Sequence, residues 1–447
     1  MTVQNYRIAG RRAKEIAASV EAAITGGTLT PDQQLPTVRQ LAEDLQVSPA
    51  TVAEAYRRLR ERGLLTGAGR GGTRVRGDRP RSWRRSAPSV GPGVCNLAGG
   101  NPDAALLPDL RPALAAAAEQ LHGGHARLYG QAESAPELLA HFADAFAADD
   151  ISGEHVVIVG GALDGIARAL AAHLRPGDRV AVEDPCYCGM LDVLDAGDLQ
   201  PVPVAIDERG ARPDELERVL DEVQAVVLTP RLHSPTGAAT DPARLNALRD
   251  ILGAHRDLLV VEDDHGALIA DAPLHALAQH TDRPRWAIVR STSKPLGPDL
   301  RLGALAADAL THRRILHTQQ AATGWVSHLL QQTTLALLHD SSLSDLLAHA
   351  RDIYAQRRTA LLRALAGHGI TAYGASGLNV WLPVDDETTT AQTLLGRGWA
   401  LRSGAAFRLH SAPGLRITTA ELAPDRATLL AQHIADTLHN TDTNHAA

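Results

Sequence analysis

The sequence predicts a multidomain chain: a small N-terminal helical head with a two-stranded wing, then an α/β body that ends in a smaller α+β lobe. Three observations predict it. At 447 residues the chain exceeds what one ordinary core organises, since domains run to about 150 residues. Charge divides unevenly, because residues 1–90 carry 16 Arg and Lys against 8 Asp and Glu whereas the remainder carries 28 against 43. The apolar pattern also changes, from helical spacing in the head to short continuous runs alternating with helical stretches beyond about Cys95.

In the head, Ile16, Val20 and Ile24 place a first helix over about Ile8 to Ile24, closed by Gly26-Gly27. A second helix follows Leu35-Pro36-Thr37, with Val38, Leu41 and Leu45 as its apolar stripe. After the tight link Gln46-Val47, Ser48 is a good N-cap and Pro49 suits the first helical position, so Val52, Ala55 and Leu59 line a third helix ending at Gly63. This is helix-turn-helix spacing. The glycine-rich stretch Thr66 to Val75, with Arg70 and Arg74, reads as a wing. Residues 78–95, rich in Pro, Gly, Ser and Arg and without apolar period, read as a linker. A basic head on an acidic body is the distribution expected when only the head meets a polyanion.

In the body, Val156–Val159, Val180–Val182, Ala225–Leu228, Leu258–Val261 and Ala287–Val289 read as buried strands between helices, which implies a mainly parallel sheet. In such sheets ligands sit beyond the strand ends. The turn after the last of these strands holds Lys294, one of only two lysines in the chain with Lys14. Arg has replaced Lys nearly everywhere a plain charge would serve, and an amine alone forms a Schiff base with an aldehyde. Lys294 is therefore the candidate covalent anchor for pyridoxal phosphate, with Ser291 and Arg301 as a hydroxyl and a guanidinium able to grip its phosphate. Gly160-Gly161-Ala162 lies between a strand and a helix, where amides bind anions. Tyr187 follows the next strand and is placed to lie on a pyridine ring; of Glu262-Asp263-Asp264-His265, Asp263 is the candidate carboxylate for its nitrogen. Cys186 and Cys188 lack further ligands at metal spacing and read as packing, so no metal site is expected.

Leu35-Pro36-Thr37-Val38-Arg39-Gln40-Leu41-Ala42, Val47-Ser48-Pro49-Ala50-Thr51-Val52, Tyr56-Arg57-Arg58-Leu59 and Glu61-Arg62-Gly63-Leu64 resemble the winged helix-turn-helix of GntR-type regulators. The resemblance implies a double-stranded DNA operator, read by the start of the third helix (Ser48, Ala50, Thr51) and held at its phosphates by Arg39, Arg70 and Arg74. Tyr56 reads as core. Residues 96–447 resemble the fold type I, aspartate aminotransferase-like pyridoxal phosphate domain, with a large lobe over about 141–330 and a small lobe over about 331–447. With residues 1–77 as head, the chain is similar to the MocR-type regulators.

That resemblance implies Lys294 as the Schiff-base lysine, Asp263 on the pyridine nitrogen, Tyr187 on the ring, and Gly161, Ala162, Ser291 and Arg301 at the phosphate. It also implies Arg416 as the receiver of an effector carboxylate. Three positions depart from the enzyme pattern: Ser234 stands where aminotransferases carry Asn, His265 where they carry Tyr, and Gly160 where Ser is common. The first two face the cofactor's phenolic oxygen in the family and tune proton control. The leading expectation is a cytoplasmic, homodimeric regulator, domain-swapped head to tail, sensing pyridoxal phosphate or an amino compound. The alternatives are an active aminotransferase that keeps its DNA-binding head, and a body retained for dimerisation alone. No stretch approaches the roughly 18 to 20 apolar residues that span a bilayer, so no membrane partner is expected.

Overall fold

A computed structural model describes residues 8–25, 28–30, 33–61, 64–67, 72–75, 90–122 and 128–445. The helix-closing Gly26-Gly27, Gly63, Arg70 at the wing and linker residues 76–89 lie outside the described residues. The chain divides into two compact units, a head and a body, described in turn.

In the head, helix α1 (Ala13–Thr25) begins later than its periodicity suggests. Gly10 has φ +125°, and the Glu15 carboxylate accepts from the amides of Arg11 and Arg12, so the chain turns into the helix there rather than at Ile8. Helix α2 (Val38–Leu45) opens on a capping box, in which Thr37 Oγ1 accepts from Gln40 N and Gln40 Oε1 from Thr37 N, each at 3.2 Å. It ends at Gln46, whose left-handed φ of 51° makes the tight turn. Ser48 accepts from Thr51 N at the start of α3 (Pro49–Glu61). Strands β1 (Leu65–Thr66) and β2 (Arg74–Val75) pair antiparallel as the wing. Ile16, Val20, Leu41, Val52, Leu59 and Tyr56 form one core, and the Tyr56 hydroxyl donates to Pro36 O at 3.0 Å.

The body begins with β3 (Cys95–Asn96), α4 (Leu110–His122) and α5 (Pro136–Ala147), and then alternates. In order come β4 (Val156–Val159), α6 (Ala162–Ala171), β5 (Arg179–Asp184), α7 (Cys188–Ala196), β6 (Gln200–Asp207), β7 (Gly210–Ala211), α8 (Pro213–Glu217), β8 (Ala225–Leu228), α9 (Pro242–Gly253) and β9 (Leu259–Asp264). The large sheet is completed by β10 (Trp286–Ser291) and β11 (Gly303–Ala307), giving eight strands in the order β4-β11-β10-β9-β8-β5-β6-β7. Strands β5, β8, β9 and β10 run parallel, as their apolar runs predicted. Within this mainly parallel sheet, strand β11 runs antiparallel to both β4 and β10, making the sheet mixed. One face packs Ile158, Ile288 and Ala304 on Phe142, Phe146 and Leu335 and, farther across the same face, Val226 and Val260 on Leu245 and Leu248 of α9; the opposite face, with Val159 and Val289, receives α6. Helix α6 approaches closely because Gly165 has no side chain, a Cβ there lying 3.1 Å from Val289.

Beyond the sheet run α10 (Ala309–Ala321), α11 (His328–His339) and α12 (Leu343–Gly367), then β12 (Asn379–Pro383), α13 (Glu387–Gly396), β13 (Trp399–Ala400), β14 (Arg402–Ser403), β15 (Gly414–Thr418) and α14 (Pro424–His445). Strands β12, β15 and β14 form a second, antiparallel sheet over a core with Leu361, Leu430 and Ile434, the expected small lobe. Strand β3, starting at Cys95, pairs with β13 and ties the first residues of the body into that lobe.

One buried ion cluster braces the large lobe. Asp264, fully buried, accepts from Arg231 at 2.8 and 3.0 Å and from Arg290 Nε at 3.1 Å. Arg290 also reaches Asp149 and lies over the Phe146 ring. Removing the carboxylate that joins the two buried guanidiniums leaves Arg231 without a counter-charge and Arg290 with Asp149 alone, a loss of about 3–5 kcal/mol. Asp264→Asn is expected to lower the stability of the body by that amount, read as a fall in the midpoint of its urea transition at unchanged slope.

Candidate functional site

The pleat of β9 sorts the acidic tetrad. Glu262 turns away from the cavity to accept from the amides of Leu277 and Ala278, and burial pushes its carboxyl up to about 7. Asp264 points the same way, into the arginine pair. Asp263 points to the opposite side, into a cavity of about 230 Å³. There His265 Nδ1 lies 3.4 Å from Asp263 Oδ2, and neither Asp263 Oδ1 nor His265 Nδ1 has a hydrogen-bond partner although both are buried. A buried carboxylate oxygen without a donor is costly and points to a donor from a ligand.

Sheet register gathers the rest. Ser291 ends β10 opposite Gly303, and Gly303 in turn pairs with Val159 at the end of β4, so the turn after β4, the turn after β10 and the approach to β11 share one edge. Gly161, Ala162, Ser291 and Arg301 meet there. Gly161 caps α6 with φ +100°, and a Cβ on it would stand 3.2 Å from the Arg301 guanidinium. Arg301 donates to Gly160 O at 3.1 Å. A helix N-terminus, a hydroxyl and a guanidinium thus face one end of the cavity, an arrangement suited to a phosphate.

Lys294 lies in the middle. Its Nζ donates to Gly100 O, and its pKa falls to about 8 because burial disfavours the charged amine and the Arg416 guanidinium repels it, while Asp263 opposes the shift. Arg416 projects from β15 to the far end, where burial lowers its pKa to about 10 and leaves it a cation at neutral pH. It donates to Ala98 O and lies 4.8 Å over the Phe407 ring. Ser234 also lines the cavity, and Tyr187, about one-third exposed, stands at its rim.

The cavity thus holds all the candidate site residues of the body except Gly161, which lies against Arg301. Sequence reasoning missed Gly99, Gly100 and Asn101, which cross the cavity, and Asn379, at the start of β12. The doubled glycine was the only signal for the first group, and Asn379 had none. Cys188 packs with Trp381, Ala406 and Phe407, and among the described residues no group of three or more His, Cys, Asp or Glu is placed to hold a metal ion. No described helix is long and apolar enough to cross a membrane.

On the head, Arg39, Ser48, Ala50 and Arg74 are exposed and Thr51 is half-buried, its hydroxyl 2.8 Å from that of Ser48. Arg57 and Arg58 are instead engaged by Glu54 at 2.8 Å. Arg39 near the start of α2 and the start of α3 therefore offer cationic and hydroxyl groups to a partner.

Residues 12–75 match the bacterial regulatory proteins of the gntR family, and residues 92–434 match aminotransferase class I and II. The chain is 40% identical over 438 residues to the vitamin B6 salvage pathway transcriptional repressor PtsJ of Salmonella typhimurium, covering 97% of this chain and 100% of that one. It is 26% identical to the probable rhizopine catabolism regulatory protein MocR of Rhizobium meliloti, over 91% of this chain and 85% of the relative. In fold it is similar to the kynurenine aminotransferase of Pyrococcus horikoshii, with a TM-score of 0.70 at 21% identity over 78% of this chain and 91% of the other. The α-aminoadipate aminotransferase LysN of Thermus thermophilus gives 0.69 at 24% identity, over 81% and 97%. With its helix-turn-helix head and its aminotransferase-like body both accounted for, the chain belongs to the MocR-type regulators of the GntR family.

Proposed function

We propose that this regulator binds pyridoxal phosphate covalently at Lys294 and, in response to the cofactor or to an amino compound that reacts with it, changes its affinity for a double-stranded DNA operator. The observation that carries the reading is the buried Lys294 amine, with its pKa near 8, in one cavity with the unpartnered Asp263 oxygen and a phosphate-suited sheet edge. These residues fit the cofactor. Ser291, Arg301 and the amides at Gly161 and Ala162 would hold its phosphate, Asp263 its pyridine nitrogen, Tyr187 a ring face, and His265 and Ser234 the side bearing its phenolic oxygen. Bound, pyridoxal phosphate supplies an aldehyde for amines and an electron-withdrawing ring. The names of two relatives, PtsJ in vitamin B6 salvage and the pyridoxine biosynthesis regulator PdxR of Corynebacterium glutamicum at 26% identity, favour the cofactor itself as signal. An amino compound is the second reading, which the Arg416 guanidinium supports as a carboxylate receiver.

The residues divide the work. Lys294 must lose a proton to act as nucleophile, and its lowered pKa supplies a useful neutral fraction near neutrality. Asp263 would keep a proton on a ring nitrogen facing it, with His265 Nδ1 3.4 Å from its Oδ2. A homodimer exchanging domains head to tail is the assembly that the family resemblance implies, and its two heads would meet a two-fold operator. The setting is the cytoplasm, where the DNA is.

Adding pyridoxal phosphate to the protein is expected to produce a visible absorbance band, and borohydride to fix the cofactor on the peptide containing Lys294. The attachment rate should climb as pH rises through about 8, where the amine loses its proton. Lys294→Ala should abolish the band; a band unchanged in that variant would sink the assignment.

Arg39→Ala is expected to weaken operator binding and to reduce the slope of log affinity against log salt by about one if it neutralises one phosphate. Filter binding or fluorescence anisotropy across a salt series measures both, and an unaltered slope would remove Arg39 from the interface.

Sensor and enzyme separate in a parallel assay with amino donors, a keto acid and operator DNA. A sensor shifts DNA affinity by about 1–3 kcal/mol while product stays near stoichiometric over hours, since Ser234 and His265 replace the Asn and Tyr of the enzymes. Turnover at about 1 per second or faster with unmoved DNA affinity would promote the aminotransferase.

A further inference from the structure

Residues Cys95 to Asp103 cross the cavity as a strap secured at both ends. At one end Leu97 N donates to Ala400 O and Leu97 O accepts from Thr418 N, each at 2.9 Å. At the other, Asp103 N donates to the Tyr354 hydroxyl at 3.1 Å and the Asp103 carboxylate accepts from Arg357 at 2.7 Å. Between them the backbone engages both central cations. Ala98 O accepts from Arg416 Nη2 and Gly100 O from Lys294 Nζ, each at 2.5 Å. Gly100 N donates to Thr418 Oγ1 at 3.1 Å, and that hydroxyl donates to Asn379 Oδ1 at 3.1 Å. Gly100 has φ +70°, and a Cβ there would lie 2.9–3.1 Å from the atoms of the Arg416 guanidinium, so only glycine lets the strap lie this close.

We propose that this strap, seated by the Thr418 hydroxyl, is the specificity-determining element of the site and selects against carboxylates. A carboxylate that pairs with both Nη atoms of Arg416 has to replace the Ala98 carbonyl at Nη2 and press on Gly100, which lies against the guanidinium. An aldehyde at Lys294 displaces one hydrogen bond, that to Gly100 O. The seated strap therefore admits an aldehyde-bearing phosphate ester and holds back amino acids and other carboxylates until it lifts. The aldehyde half rests on the reading of Lys294 as cofactor anchor; the carboxylate half stands on Arg416, Ala98, Gly100 and Thr418 alone.

The test uses the full-length protein and propionate, a carboxylate without an amine, with binding followed by saturation-transfer NMR. Thr418→Val removes the hydroxyl under Gly100 N, and propionate should then bind about tenfold more tightly than to wild type, the effect of one hydrogen bond restraining a charged group. Tyr354→Phe, which frees Asp103 N at the other end, should act in the same direction, giving a second reading if the buried Thr418 variant fails to fold. Thr418→Ser keeps the hydroxyl and should match wild type, and Arg416→Leu should bind no propionate. Equal affinity in wild type, Thr418→Val and Tyr354→Phe overturns the proposal. Pyridoxal phosphate absorbance in the same samples separates the two readings, because a gain in propionate binding without any visible band upholds the strap and sinks the anchor.

Discussion

Because β11 runs antiparallel between β4 and β10, its first residue stands level with the last residues of both neighbours. An all-parallel sheet would have brought Arg301 to the opposite edge. The reversed strand returns the chain to the edge it has just left, so that Ser291, Lys294 and Arg301, within eleven consecutive positions, surround one cavity with the start of α6. The parallel pairing of β9 with β10 sets Asp263 beside Val289 on that edge. The rest of the site, including the separation of a phosphate-suited end from the Arg416 end, depends on this local reversal.

The same strands explain why one acidic tetrad serves two purposes. Asp264 lies between Arg231 and Arg290 beneath the sheet edge, where its charge is neutralised twice over. Asp263 faces the cavity and meets Lys294 and His265 instead. A strand that bent or slipped by one residue would exchange the two, placing the bracing carboxylate in the cavity and the unpartnered one among the arginines. The cluster below thus fixes the orientation of the group above.

How much of this was legible follows from which interactions are local. Lys294 stood out because lysine is nearly absent, and the helix-turn-helix because its caps and apolar stripes lie within a few residues of one another. Strand β11 was not legible: Gly303-Ala304-Leu305-Ala306-Ala307 has low strand propensity, and only burial between two neighbours makes it a strand. The onset of α1 was missed because the apolar spacing continues past Gly10, where the backbone turns away. The strap was hidden for another reason, since Gly100 meets Lys294 across 194 positions and Ala98 meets Arg416 across 318. No window of sequence contains both partners, and the bonding groups on one side are backbone carbonyls that every residue carries.

A ligand alters DNA affinity only if it binds two states of the protein unequally, however tightly it binds either one. On the proposed reading, the strap would supply a physical difference between such states. Its seated form holds Lys294 and Arg416 by its own carbonyls, and its N-terminal end passes through β3 toward the residues that lead to the head. A group that takes Lys294 or Arg416 removes a hydrogen bond that seats the strap, so occupancy and strap position are coupled by the same atoms. Two charged hydrogen bonds of this kind, at about 1.5–3 kcal/mol each, are enough to account for a coupling of the size that allosteric regulators show. Retaining Arg416 in a site without the usual Asn and Tyr then has a reason that does not require transamination: the guanidinium is one of the two cavity cations that hold the middle of the strap.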